Sequence, residues 1–326
     1  YRRQRQMCIR DRLYINPYLT FLGFLMATLG ISFASPAEEA MMIDVSTLQN
    51  RKFIYAMIYW VINLAVMIGA ALGGWFFKTA RFELLLGTAL GALLSLVIVV
   101  IWITETFPAS KRTVHGQSVW SVVKSYREVF ADKRYLKFMI AAVGATVIFS
   151  SPDYYLAAHL GQSFHNTTLF GVTIFGQRML SVITVTNTLM IVLLMGTMTK
   201  LFQKWSNMKA TAVGTAMQGA GFALSFLLND FWPLFLVAIF LTLGEMIVTP
   251  AQQSLRAEMM NQQKIGTYSG FSAAMRPVGF IISSAIVSVS AFIGNIGAAM
   301  ILLIATGISI WFTYLSVVML REKRTV

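Results

Sequence analysis

With 326 residues, 57% of them hydrophobic and only 12% charged, the chain lies far from water-soluble domains, which run about 45–50% apolar and about 25% charged. A soluble enzyme, a disordered chain and a collagen-like chain are excluded. The formal charge of +13 would signal nucleic acid in a soluble protein, so its placement along the chain has to be read first.

The segment 1–12, YRRQRQMCIRDR, holds five Arg, one Asp and the only Cys. Its Met7–Asp11 run back-translates as ATG TGT ATA AGA GAC, which resembles read-through of a transposon-type sequencing adapter. We read 1–12 as an assembly artefact; without it the charge is +9 and no cysteine remains for disulfide, thiolate or metal chemistry.

Apolar stretches long enough for membrane helices follow at 17–34, 54–76, 82–103, 137–157, 172–199, 210–228, 232–252, 266–290 and 293–320. They are too long and too evenly apolar for barrel strands. Seventeen Lys and Arg fall in one alternating set of loops, including Arg51, Lys111 to Lys137, Lys200, Arg256, Lys264 and Arg321; the opposite loops hold Lys78 and Arg81. That imbalance places the first set, and the C-terminus, in the cytoplasm.

An internal repeat sets the register. Residues 29–44, LGISFASPAEEAMMID, match 243–258, LGEMIVTPAQQSLRAE, at an offset of 214, sharing Leu, Gly, Pro and Ala. The second copy has 78 more residues ahead of it within its half, room for about three further spans. The expectation is two parallel six-helix halves, with spans four to six at 13–103, a basic linker at 104–136 and spans seven to twelve at 137–326.

With this pattern the chain resembles the major facilitator superfamily. Ala65-Val-Met-Ile-Gly69-Ala-Ala-Leu-Gly73-Gly74 is similar to the G-x-x-x-G-P-x-x-G-G motif of drug:proton antiporters, with Ala65 and Ala70 in place of Gly and Pro. Gly69, Gly73 and Gly74 would form a flat face for close helix packing. Gly196-Thr-Met-Thr-Lys200-Leu-Phe-Gln-Lys204 is similar to the cytoplasmic gate motif G-x-x-x-D-R-x-G-R-R, lacking its Asp and second Gly. Asp44 with Arg51, and Glu258 with Lys264, look like the charged pairs that flank such gates.

Ionisable residues inside spans are costly, so they mark function. Four stand out: Asp153 in span seven, Arg178 in span eight, Glu245 in span ten and Arg276 in span eleven. By the resemblance these four spans line a central cavity. Thr242, Glu245, Thr249, Gln252 and Arg256 form one helical stripe, as do Gln177, Ser181, Thr184 and Thr188. Glu245 lies roughly 10 Å and Arg276 roughly 15 Å from the cytoplasmic ends of their spans at about 1.5 Å per residue. The expected pairs are therefore Glu245–Arg276, inner, and Asp153–Arg178, outer; Asn63 aligns with Arg276 across the repeat.

These residues imply an all-α transporter of the bacterial cytoplasmic membrane, a monomer exchanging protons for a small amphipathic molecule or drug. A proton-coupled importer of peptides or sugars is the alternative. An enzyme would need clustered His or carboxylates, which the sequence lacks; no metal site, cofactor or nucleic acid is expected, and the lipid bilayer is the partner.

Overall fold

The computed structural model describes residues 17–47, 49–76, 81–102, 126–261 and 264–325; segment 1–12 and most of linker 104–136 lie outside them. Among the described residues the α-helices are α1 (Pro17–Val45), α2 (Arg51–Phe76), α3 (Arg81–Trp102), α4 (Lys133–Phe149), α5 (Ala157–Ser163), α6 (Gly176–Phe202), α7 (Asn207–Ser225), α8 (Phe231–Met259) and α9 (Ile265–Thr325). The protein is an all-α membrane-helix bundle. Among the described residues seven helices are long and apolar enough to cross a membrane.

The difference from nine expected spans has two causes. Spans eleven and twelve are fused into α9, broken only at Gly294 (φ 66°, ψ −174°). Span nine, α7, carries Thr, Gln and three Gly among its 19 residues and is not one of the seven.

Span seven is also not a plain helix. Pro152 opens a π-helical turn, Pro152–Leu156, between α4 and α5. A proline cannot donate the hydrogen bond that a regular ladder needs there, and a wider turn absorbs the defect. Asp153 sits on that turn, exposed.

Residues 172–175, expected to open span eight, instead belong to a hairpin: β1 (Thr167–Leu169) pairs antiparallel with β2 (Val172–Ile174). Phe170 and Gly171 both have positive φ, 50° and 76°, the geometry of a two-residue turn whose twist suits the strands.

Packing concentrates in α4–α9. The α7–α8 contact is close: a Cβ on Gly214 would stand 2.7 Å from the Gly244 carbonyl oxygen and the Val248 nitrogen, and one on Gly221 would stand 2.7 Å from the Leu241 Cβ. Backbones approach this closely only where side chains are missing. Gly69 of α2 was expected to play this role, but a Cβ added there would meet no other described element within 4 Å. The surroundings of Gly73 and Gly74 lie outside the described residues.

One buried cluster fills the hairpin end, around Tyr155, Leu156, Met179 and Phe226, and a second fills the linker end, around Tyr135, Phe138, Leu255 and Phe271. A third, smaller cluster joins α2 to α6 and α8 through Ala56, Tyr59, Ile191, Met195 and Met246. The α2–α6 seam is tied further by Trp60, which donates to the Val192 carbonyl (2.8 Å), and by Lys52, which donates to the Phe202 carbonyl at the end of α6 (3.2 Å). A cation there complements the negative end of the helix dipole.

Candidate functional site

The stripe on α8 gives the site its spine. At its centre Glu245 is buried, 7% exposed. Tyr59 of α2 donates its hydroxyl to Glu245 Oε1 at 2.5 Å, and Asn187 of α6 donates its amide to Oε2 at 2.6 Å. Asn187 also donates to Thr242 Oγ1 (3.2 Å), whose own proton goes to the Ala238 carbonyl (2.6 Å). Asn63, one turn along α2, is buried and donates to the Tyr59 carbonyl (2.9 Å).

Among the described residues Glu245 therefore has two neutral donors and no cation. The expected Glu245–Arg276 pair does not form, because α2 and α6 fill the space beside the carboxyl. Arg276 is exposed and lines a cavity of about 370 Å³ with Tyr59, Thr249, Gln252, Gln253 and Arg256. The cavity's apolar wall comes from α4 and α9, through Phe138, Val143, Phe149, Met275 and Phe280. Tyr59 thus touches both the cavity and the buried carboxyl.

Arg256 ends the stripe. Its Nε lies 2.7 Å from Glu39 Oε1 of α1, with both side chains largely buried; the direction of the N–H misses the carboxylate, so the contact is an ion pair by distance without a hydrogen bond. It ties α1 to α8. Glu39→Gln leaves the guanidinium without its counter-charge and is expected to destabilise the protein by about 1–3 kcal/mol. Thermal unfolding in detergent, compared with the exposed control Glu38→Gln, checks this; equal midpoints would refute it.

The other expected residues are elsewhere. Arg178 does not meet Asp153: the hairpin brings the Thr173 carbonyl within 2.6 Å of its Nη1, and the guanidinium lies 4.8 Å from the Phe175 ring centroid. Gln177 is exposed in the first turn of α6. Asp153, Arg178 and Gln177 therefore stand apart from Glu245, Thr249, Gln252 and Arg276.

The gate residues are rearranged as well. Arg51 is 4% exposed and donates to Ser46 Oγ (2.9 Å) and the Ile43 carbonyl (3.3 Å), while Asp44 is exposed in the last turn of α1. The expected Glu258–Lys264 pair does not form. Glu258 accepts from Asn207 (2.6 Å), and Lys264 pairs with Glu128, so each side chain is taken by a different neighbour. Tyr59, Asn187 and Glu39 are the residues that span-by-span reading missed. Tyr59 precedes Asn63 by one helical turn, and that was its only signal.

Among the described residues no group of His, Cys, Asp and Glu has the arrangement of a metal site. The arrangement can hold or pass a proton at Glu245 and lodge a small organic molecule beside it.

A family model described as Major Facilitator Superfamily matches residues 13–284. A "Na(+), Li(+), K(+)/H(+) antiporter" from Planococcus maritimus is 25% identical over 324 residues, covering 95% of this chain and 76% of its own length. A solved POT family transporter in complex with a thioalcohol-conjugated peptide aligns with TM-score 0.46 and 17% identity, over 85% of this chain and 55% of that one. Another, in complex with 5-aminolevulinic acid, aligns with TM-score 0.41 and 19% identity, over 84% and 55%. The chain spans a little over half the length of these two structures.

Proposed function

The chain belongs to the Major Facilitator Superfamily, and from that premise we propose that it works as a proton-coupled antiporter of small amphipathic compounds. It is a multi-pass membrane transporter and not an enzyme. In the proposed arrangement 13–103 supplies spans four to six, 104–136 the cytoplasmic linker and 137–326 spans seven to twelve. The protein is a monomer of the bacterial cytoplasmic membrane with its C-terminus inside.

The observation that carries the reading is the Tyr59–Glu245–Asn187 contact. A phenol both donates and accepts, so Tyr59 can donate to a carboxylate or accept from a carboxylic acid. The same contact therefore serves both protonation states. Tyr59 stands on one half and Glu245 with Asn187 on the other, so moving the halves apart changes the partners of the proton-bearing group. This is the physical requirement for coupling protons to alternating access. Pro250 in α8 and Pro277 in α9 leave carbonyls without ladder partners, which suits helices that flex.

The cargo of the Planococcus relative, as its name gives it, supplies a second reading, exchange of alkali cations for protons. Full-length protein in liposomes carrying a pH gradient distinguishes the two. An amphipathic organic ion is expected to collapse the gradient, whereas Na⁺, Li⁺ and K⁺ are not. Collapse by alkali cations alone would establish the second reading, and no collapse by any of these would end the antiporter proposal.

A further inference from the structure

Resting on the antiporter reading, we propose that the cargo is an organic anion: a compound with a carboxylate-, sulfonate- or phosphate-type head on Arg276 and an apolar body against α4.

The charge inventory of the cavity argues for this. Among the described residues two cations line it, Arg256 and Arg276, and no Asp or Glu does. Glu39 already occupies Arg256 from outside the cavity. Arg276 has no ion pair or hydrogen bond among the described residues, and it is exposed on the cavity lining. One positive charge is therefore left uncompensated. Planar, always charged and weakly hydrated, a guanidinium fork is suited to a two-oxygen anionic head. Gln252, Gln253 and Ser272 stand on the same lining and supply further donors.

Size and polarity agree. About 370 Å³ lies within the range of small-organic-molecule sites, far more than a bare alkali ion needs. An alkali ion placed there would face two guanidiniums and no carboxylate. An amphipathic cation would meet the same repulsion, while its apolar part would fit the Phe138, Val143 and Phe149 wall equally well. The head-group charge is thus what the cavity selects.

The geometry also links cargo to proton. Tyr59 borders the cavity and holds Glu245 from its other side, so a ligand that shifts Tyr59 changes the carboxyl's hydrogen bonding. Anion occupancy and proton occupancy then communicate through one side chain, with no bond made or broken except the transfer of the proton.

The test uses full-length protein with 1-naphthalenesulfonate, which stays anionic, trimethylphenylammonium, of comparable apolar character, and K⁺. Binding is read by calorimetry in detergent, and exchange by a pH dye in proteoliposomes. The sulfonate is expected to bind and to collapse the gradient. Arg276→Gln is expected to weaken sulfonate binding about ten- to a hundredfold, and Arg276→Lys, which keeps the charge and loses the fork, to weaken it less. A solvent-exposed control, Lys209→Gln, is expected to leave it unchanged. If trimethylphenylammonium drives exchange and the sulfonate does not, the anion proposal is overturned and the amphipathic antiporter reading stands; exchange driven by K⁺ alone overturns the anion proposal in favour of alkali-cation exchange. Sulfonate binding that Arg276→Gln and Arg276→Lys both leave at wild-type strength also overturns it. If none of the three collapses the gradient, the antiporter reading falls and this proposal falls with it.

Discussion

Glu245→Gln is expected to reduce proton-driven transport by about two orders of magnitude or more, while cargo binding and cargo-for-cargo counterflow persist. The amide matches the carboxyl in shape. Its oxygen accepts from one of the two present donors, and its NH₂ can face the Tyr59 hydroxyl, which also accepts, or an Asn187 amide turned to present its oxygen. The site therefore stays satisfied and folded, and what disappears is the ability to gain and lose a proton. Counterflow needs the halves to move with cargo bound but needs no proton, so the split between the two assays separates a coupling role from a structural one. Undiminished gradient-driven transport by Glu245→Gln would remove this carboxyl from the mechanism. Loss of counterflow together with driven transport would instead mark a structural group.

Gly214→Leu should damage the bundle severely. Any Cβ at 214 meets backbone at 2.7 Å, and backbone cannot swing aside as the end of a long side chain can. The α7 and α8 axes must separate, opening voids along the glycine line that continues through Gly221 and Gly244. The expected cost is about 2–4 kcal/mol, seen as a fall of several degrees in thermal midpoint and as poor recovery from the membrane. Ala216→Leu, two positions away on an exposed face of the same helix, should change little. Equal midpoints for the two variants would mean that this helix pair is looser than its glycines imply.

Much of the architecture was readable in advance because hydropathy and length decide which segments can lie in lipid, whatever their neighbours. The α8 stripe was readable for a related reason: helical period alone puts Glu245, Thr249, Gln252 and Arg256 on one face. Partner choice was not. Depth along a helix axis says nothing about azimuth, and Glu245 with Arg276 agreed in depth yet found different surroundings. Tyr59 reads as one more aromatic in an apolar helix until α2 is seen lying across α8. Glu39 was visible only as half of an acidic doublet in the repeat, and its role depends on Arg256, more than 200 residues away. The hairpin was hidden by its own composition: Val172, Thr173 and Ile174 are as apolar as the start of a span, and only the Phe170–Gly171 turn distinguishes them.

The break in α9 also bears on how sequences of this kind should be compared. With φ at 66° and ψ at −174°, residue 294 occupies backbone space that is essentially closed to every amino acid with a side chain, and the two long limbs meet there without a loop. Evolution can alter either limb freely on its lipid face, but the joint itself has one permitted letter. An invariant glycine here would record the geometry of a corner, and counting it as a transport signature would draw attention away from the positions where Tyr59, Asn187 and Arg276 stand.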